Sequence, residues 1–287
     1  MLNGVLSGPI SLTANSTLEA GTGEEVIING VISGDFGITL TGSGSFVLGG
    51  NNTYSGTTTI SSGTLRITHA NALGSSAGST TLASGATLDL DSVAVVGENL
   101  TMNGGTLKDS TSSWGGNIVL TGSNNIDIAT GHQLTIGGVI SGDGTLTKIS
   151  DGVLILTNQN NSYTGMTTIT AGKLALTGSG SIATSAKLVA NGTFDISGTT
   201  SGASVKSLSG LSTGTVVLGD NVLEPKTLTL TAANDSFAGV ISGTGAVTLS
   251  LGNQTFTGTN TYTGATTITA GTLALTGTGS IATSALS

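Results

Sequence analysis

The sequence predicts an all-β protein, a parallel β-solenoid of about 13 coils with about 20–25 residues in each coil. Three observations predict this fold class: short motifs recur at two nested spacings, short segments alternate between apolar and polar residues, and Gly is abundant whereas Pro is rare. The chain of 287 residues contains 47 Gly and 2 Pro. Gly supplies the positive-φ conformations that turns between strands need, and no stretch keeps a helical period over several turns.

Two motifs define the repeats. The segment Gly-Val-Ile-Ser-Gly occurs three times at intervals of about 100 residues, and a segment of the form Asn-x-Tyr-x-Gly starts about 21 to 23 residues after the start of each copy. A unit of this length cannot bury its own apolar face, so neighbouring units must stack. We therefore predict structural roles for the Gly, Asn and Tyr residues of both motifs. They are Gly30, Gly34, Asn52, Tyr54 and Gly56; Gly138, Gly142, Asn161, Tyr163 and Gly165; and Gly239, Gly243, Asn260, Tyr262 and Gly264.

The repeats also predict the domain organisation. We expect one continuous solenoid over residues 1–287, with a partial long repeat at 1–29, repeats at 30–137 and 138–238, and a truncated repeat at 239–287. No signal peptide is visible, and no apolar run approaches the ~18 residues that a membrane-spanning helix needs. We expect the sequence to be a segment of a longer exported chain.

The strands are predicted from strict alternation. The stretches Leu88-Asp89-Leu90-Asp91, Leu174-Ala175-Leu176 and Leu228-Thr229-Leu230 place apolar residues at every second position, which indicates a strand with one buried face. A string of β-sandwiches, one for each long repeat, is the alternative all-β architecture. The short period, the scarcity of Pro and the low aromatic content of 3% favour the solenoid.

Composition excludes several classes of function. The net charge is −8 and Arg66 is the single arginine, so the clustered cations that bind nucleic acid or an anionic membrane are missing. No Cys is present, so neither disulfides nor thiol chemistry is predicted. We predict no cofactor and no metal site.

The acidic residues offer one candidate for catalysis. Asp89 and Asp91 occupy alternate positions of a predicted strand, which would place both carboxylates on its outer face. Paired carboxylates can hydrolyse glycosidic bonds, but a solvated outer face is the simpler interpretation. His69 and His132 lie at predicted turns without partners at metal-ligand spacing. Gly142-Asp143-Gly144 resembles a calcium-binding turn but occurs once, so we interpret it as a tight turn.

Aromatic and hydroxyl residues offer candidates for binding. Tyr54, Tyr163 and Tyr262 lie about 100 residues apart, so we expect local packing, with each hydroxyl bound to a neighbouring turn, rather than a sugar-stacking platform. Trp114 follows a polar stretch, where it could be an exposed contact residue or pack locally over a coil. Thr-x-Thr triplets, which on flat solenoid faces can bind ice, occur at irregular sequence intervals. They are Thr39/Thr41, Thr57/Thr59, Thr145/Thr147 and Thr229/Thr231.

The motifs resemble the autotransporter-associated β-strand repeat of Gram-negative passenger regions. The resemblance rests on the stretch from Leu48 to Ile60 with the following Gly63-Thr64-Leu65, and on the copies at 161–174 and 260–273. It implies a right-handed parallel β-helix on the bacterial surface or secreted, within a much longer chain. We therefore expect a non-enzymatic structural and adhesive rod whose partners are further copies of itself or cell-surface glycans and proteins. A polysaccharide-cleaving β-helix and an ice-binding solenoid are the alternatives.

Overall fold

The computed structural model describes residues 4–220 and 225–281. The chain divides into two compact units, Met1–Gly144 and Thr145–Ser287. All regular secondary structure in the described residues is β-strand, as predicted. Across the described ranges there is accordingly no helix of the length and apolarity that a membrane span would need.

The strands of the first unit are short, because Gly, Ser and Asn interrupt the apolar alternation every few residues. They are β1 (Gly4–Leu6), β2 (Ile10–Ser11), β3 (Ser16–Glu19), β4 (Glu25–Ile28), β5 (Ile32–Ser33), β6 (Ile38–Thr41), β7 (Ser45–Leu48), β8 (Thr58–Ile60), β9 (Thr64–Ile67), β10 (Thr80–Leu82), β11 (Thr87–Leu90), β12 (Ala94–Val95), β13 (Leu100–Asn103), β14 (Thr106–Asp109), β15 (Ser112–Trp114), β16 (Ile118–Thr121), β17 (Ser123–Ile128), β18 (Gln133–Ile136) and β19 (Ile140–Gly142).

Within this unit the strands form stacked parallel sheets. The first sheet has the order β1-β4-β7-β9-β11-β14-β17, the second has the order β3-β6-β8-β10-β13-β16-β19, and the third has the order β12-β15-β18, while β2 pairs with β5. Every printed pairing is parallel and joins residues about one coil apart, as between Leu65 of β9 and Leu88 of β11.

The core of the first unit consists of columns of apolar residues in register. One column of the first sheet has a member in each of five successive strands, and all its members are at most 1% exposed. Fully burying one such side chain stabilises the fold by about 1.5–3 kcal/mol, so a coil gains its stability from its neighbours. The column consists of Phe46, Leu65, Leu88, Leu107 and Ile126.

The second unit has the same local construction. Its strands are β20 (Thr145–Ile149), β21 (Val153–Leu156), β22 (Thr167–Ile169), β23 (Lys173–Gly178), β24 (Leu188–Ala190), β25 (Thr193–Thr199), β26 (Gly202–Val205), β27 (Leu208–Ser209), β28 (Thr215–Val217), β29 (Thr227–Leu230), β30 (Ala233–Phe237), β31 (Val240–Ser242), β32 (Ala246–Leu249), β33 (Gly252–Phe256), β34 (Thr266–Ile268) and β35 (Thr272–Leu275).

Four parallel sheets organise these strands. Their orders are β20-β22-β24-β27, β21-β23-β25-β28-β31, β26-β29-β32-β34 and β30-β33-β35. A second five-coil apolar column runs through β21 to β31, and each of its members is fully buried. Together the units contain about 13 coils, which confirms the predicted parallel β-solenoid. The column consists of Leu154, Leu174, Phe194, Val216 and Ile241.

Candidate functional site

The asparagine of the first Asn-x-Tyr-x-Gly segment joins three coils. The Asn52 side-chain oxygen accepts a hydrogen bond from the Ile32 backbone N–H at 2.8 Å, and its amide nitrogen donates to the Ala72 carbonyl at 2.6 Å. Asn52 is only 3% exposed. Since Ile32 belongs to the preceding Gly-Val-Ile-Ser-Gly segment, one motif binds the other across a coil.

The later repeats use their asparagines in the same way. Asn260 accepts from the Ile241 N–H at 2.8 Å and donates to the Ser280 carbonyl at 2.8 Å. Asn161 donates to the Ser181 carbonyl at 3.0 Å. These buried amides satisfy backbone groups at positions where the coils turn and no strand partner is available. Their position in the structure supports the structural role that the motif predicts.

The motif tyrosines are fully buried. Each hydroxyl bonds to the threonine four residues later in its own coil, rather than to a neighbouring turn as the sequence suggested. Burial raises the pKa of Tyr54 and of Tyr163. No tyrosine ring is available to stack against a sugar. The pairs are Tyr54 with Thr58 at 2.5 Å, Tyr163 with Thr167 at 2.6 Å and Tyr262 with Thr266 at 2.6 Å.

The motif glycines lie where neighbouring coils approach closely. Gly34 has a φ of +114°, and a Cβ there would lie 2.4 Å from the Leu12 carbonyl oxygen. Gly142 and Gly243 share both features. A Cβ at any of five further positions would come within 2.3 Å of backbone atoms in the preceding coil, whereas Gly165 lies in the loop before β22. The five are Gly30, Gly56, Gly138, Gly239 and Gly264.

The candidate acid pair does not form a catalytic site. Asp89 is 8% exposed rather than solvated, which corrects the expectation of an open outer face. Its carboxylate is 3.0 Å from the Lys108 ammonium, and the Asp91 carboxylate is 3.5 Å from the Arg66 guanidinium. The register aligns Arg66, Asp89, Lys108 and Asp127 in β9, β11, β14 and β17. The acids are therefore members of a ladder of alternating charges.

The histidines make local contacts. Nδ1 of His69 accepts a hydrogen bond from the Asn71 backbone N–H at 3.1 Å, and Nδ1 of His132 lies 3.1 Å from the Thr111 hydroxyl. No group of three or more His, Asp or Glu side chains within 4–220 and 225–281 is placed to hold a metal ion.

Trp114 and Asp109 face the interior. Trp114 is fully buried in β15, so it packs locally and is not an exposed contact residue. Asp109 is 1% exposed and occupies an interior column between Leu90 and Ile128. Burial raises the pKa of Asp109, although the Ser112 hydroxyl and the Thr111 N–H donate to it. The sequence contained a signal for Asp109, because it lies two residues after the buried Leu107.

A column of threonines occupies the outward face of the second sheet. Its members are register partners in five successive strands, β3, β6, β8, β10 and β13. All five side chains are at least partly exposed, and within the described part of the chain none of their hydroxyls has a hydrogen-bond partner. We call this set, Thr17, Thr39, Thr59, Thr81 and Thr101, the threonine column.

The threonine column corrects one conclusion from the sequence. Its members are separated by 20 or 22 residues, and the register nevertheless places them in line because the coils differ in length. Hydroxyls on successive strands therefore repeat at about 4.8 Å, which gives a column of about 19 Å. A shallow hollow of about 190 Å³, lined by Asn15, Gly37, Thr39, Thr57 and Thr59, lies on this face.

Comparison with known proteins identifies the repeats. Residues 38–67, 146–176 and 226–275 match the family described as the passenger-associated-transport-repeat, and each match contains one Asn-x-Tyr-x-Gly segment. The "Adhesin BmaC autotransporter" of Brucella suis biovar 1 (strain 1330) is 33% identical over 185 residues, which is 58% of this chain. The match spans only 5% of that protein. No solved structure matches the chain.

Proposed function

Because the chain carries passenger-associated-transport repeats of the autotransporter type, we propose that it is a structural and adhesive segment of a passenger. A passenger segment is exported through the outer membrane, and it is either displayed on the cell surface or secreted. The coils stack into a templated scaffold, and the threonine column contacts other cells or further copies of the chain. The free, aligned hydroxyls of that column are the single observation that carries this proposal.

The threonine column suits repeated weak contacts. Thr is stiff about χ1, so a bound partner orders little additional side-chain freedom. The outward column of the first sheet carries the charge ladder of Arg66, Asp89 and Lys108, whereas the threonine column carries no charge. An uncharged face meets neither repulsion nor strong salt dependence when it approaches another polar surface.

The test compares two matched triple variants. Thr39→Lys, Thr59→Lys and Thr81→Lys together place three positive charges on the threonine column. The control variant makes the same substitution on the first sheet, at Thr64, Thr87 and Thr106, which are also partly exposed and in register. Both variants retain the same coil ends, so association through the ends affects them equally.

Sedimentation velocity over a concentration series measures self-association, and immobilised bacteria, host cells and glycans measure adhesion. We expect the wild-type chain and the control variant to associate or adhere, and the threonine-column variant to lose at least tenfold in affinity. Equal loss in both variants would refute the role of the threonine column. An absence of association and adhesion in all three proteins would leave only a spacer role.

Ice binding is a second candidate that the same column supports. Thermal hysteresis of the wild-type chain that disappears in the threonine-column variant would favour it over adhesion. We propose no catalytic role, because Asp89 and Asp91 are both engaged in ion pairs. The appearance of new reducing ends in an acidic polysaccharide incubated with the chain would contradict that part of the proposal.

A further inference from the structure

A groove of about 450 Å³ opens in the first unit beside the buried Asn52. Polar side chains, including Asn51 and Asn71, line much of it, and their amides bond to each other at 2.8 Å. Leu73 and the 83% exposed Val96 supply aliphatic walls, and Glu98 also lines the groove. The groove therefore combines an acid, amides and alkyl contacts.

Glu98 is an unusual residue for such a position. It is 4% exposed, and one carboxyl oxygen accepts a hydrogen bond from the Thr80 hydroxyl at 2.8 Å. None of the four ion pairs found in the described residues includes Glu98. Burial raises the pKa of Glu98, which reflects the free-energy cost of holding this charge without a cation.

The internal repeat indicates that the fold does not need this acid. Glu98 precedes by two residues the Leu100 of the ladder Thr58–Thr80–Leu100. The equivalent ladder of the second unit is Thr167–Leu188–Leu208, and the residue two before Leu208 is Lys206. The register that aligns the two repeats is listed here in full, and it places a lysine where the first repeat has a glutamate.

Lys206 does not need an acid in its own repeat. Its ammonium donates to the Thr184 carbonyl at 2.9 Å, and there the hydroxyl of Thr167 bonds to the Ser185 hydroxyl at 2.9 Å. The same Asn-Tyr-Thr arrangement therefore forms in the second repeat without a carboxylate. Since burying Glu98 costs free energy that the fold does not require, we look for its use in the groove that it lines.

We propose that this groove binds a primary ammonium group on an alkyl stem, the chemistry of a lysine side chain on a partner protein. The second carboxyl oxygen of Glu98 accepts from the ammonium, the Asn71 side-chain oxygen accepts a further N–H, and Leu73 and Val96 contact the methylenes. The net charge of −8 attracts cationic partners. A guanidinium fits less well, because Thr80 already occupies one oxygen of the carboxylate that a bidentate contact would need.

This inference deepens the proposed adhesive function and rests on it for the existence of a protein partner. The groove nevertheless lies apart from the threonine column in its lining residues. The two proposals can therefore fail separately.

The test uses two probes that differ in one group. Nα-acetyl-lysine N-methylamide carries the ammonium, and Nα-acetyl-norleucine N-methylamide has an aliphatic side chain without it. Titration of the isotope-labelled full chain, followed by amide NMR shifts, should show saturable binding of the lysine probe with shifts at Asn51, Asn71 and Ser76. We expect at least tenfold weaker binding of the norleucine probe.

The variant Glu98→Gln keeps the shape and the acceptor for Thr80 and should weaken binding of the lysine probe at least tenfold. Asp91→Asn, which removes an acid outside the groove, and the threonine-column variant should bind like the wild type. Equal binding of the two probes, unchanged binding by Glu98→Gln, or no binding of the lysine probe would each overturn the inference. Saturable binding of N-acetylglucosamine in place of the lysine probe would overturn it in favour of a glycan site.

Discussion

Replacing Asn52 with alanine should destabilise the first unit by about 2–6 kcal/mol. The side chain makes two buried hydrogen bonds, at 2.8 Å from the Ile32 N–H and at 2.6 Å to the Ala72 carbonyl. Alanine would leave both backbone groups unpaired in a site that is only 3% exposed. An unsatisfied buried group costs about 1–3 kcal/mol, and the two costs add because the groups lie in different coils.

Asn51→Ala is the matched control, because Asn51 is exposed and its side-chain oxygen accepts a single bond, from Asn71. We expect a change below about 1 kcal/mol in the control. Urea unfolding measures both variants, and hydrogen exchange at the Ile32 amide reports the local effect, which should be a large loss of protection in Asn52→Ala alone. Equal midpoints for the two variants, or unchanged exchange at Ile32, would refute the role of Asn52 as a link between coils.

Three further predictions concern single substitutions. Gly34→Ala should cost clearly more stability than Gly23→Ala in thermal unfolding, since both glycines have positive φ but only Gly34 also faces a backbone oxygen at 2.4 Å from the added Cβ; equal costs would show that the backbone relaxes. Tyr163→Phe should lose about 0.5–1.5 kcal/mol in urea unfolding, because its hydroxyl bond to Thr167 disappears; an unchanged midpoint would show that this bond adds nothing. Asp109→Asn should raise stability near neutral pH, because the raised pKa of Asp109 means that its contribution is fully present below the ordinary value of about 4 and is lost as the pH rises through the folded value. Unfolding measured over a pH series should give a shallower fall in the variant, and identical slopes would contradict the argument.

Much of the fold could be predicted because its interactions are local in the repeat. Strand positions follow from alternation in stretches such as Leu174-Ala175-Leu176, where Leu174 and Leu176 are fully buried. The spacing of Gly30, Gly138 and Gly239 predicted the coil period, because each coil contacts mainly its sequence neighbours. Exclusion of a nucleic-acid partner likewise needed only the count of cations.

The roles of individual side chains depended on how coils of unequal length align. Backbone ladders fix that alignment, so threonines 20 and 22 residues apart share one column although their sequence intervals look irregular. The Asn52 link to Ile32 could not be predicted, because alternation gives no direction for side chains at the corners of a coil. Asp89 lies on the outer face as predicted, but Lys108 in the next coil covers it. The sequence by itself thus determined the coil, the strands and the family of repeat, whereas only the stacking of one coil on the next decided which polar groups are buried, paired or free.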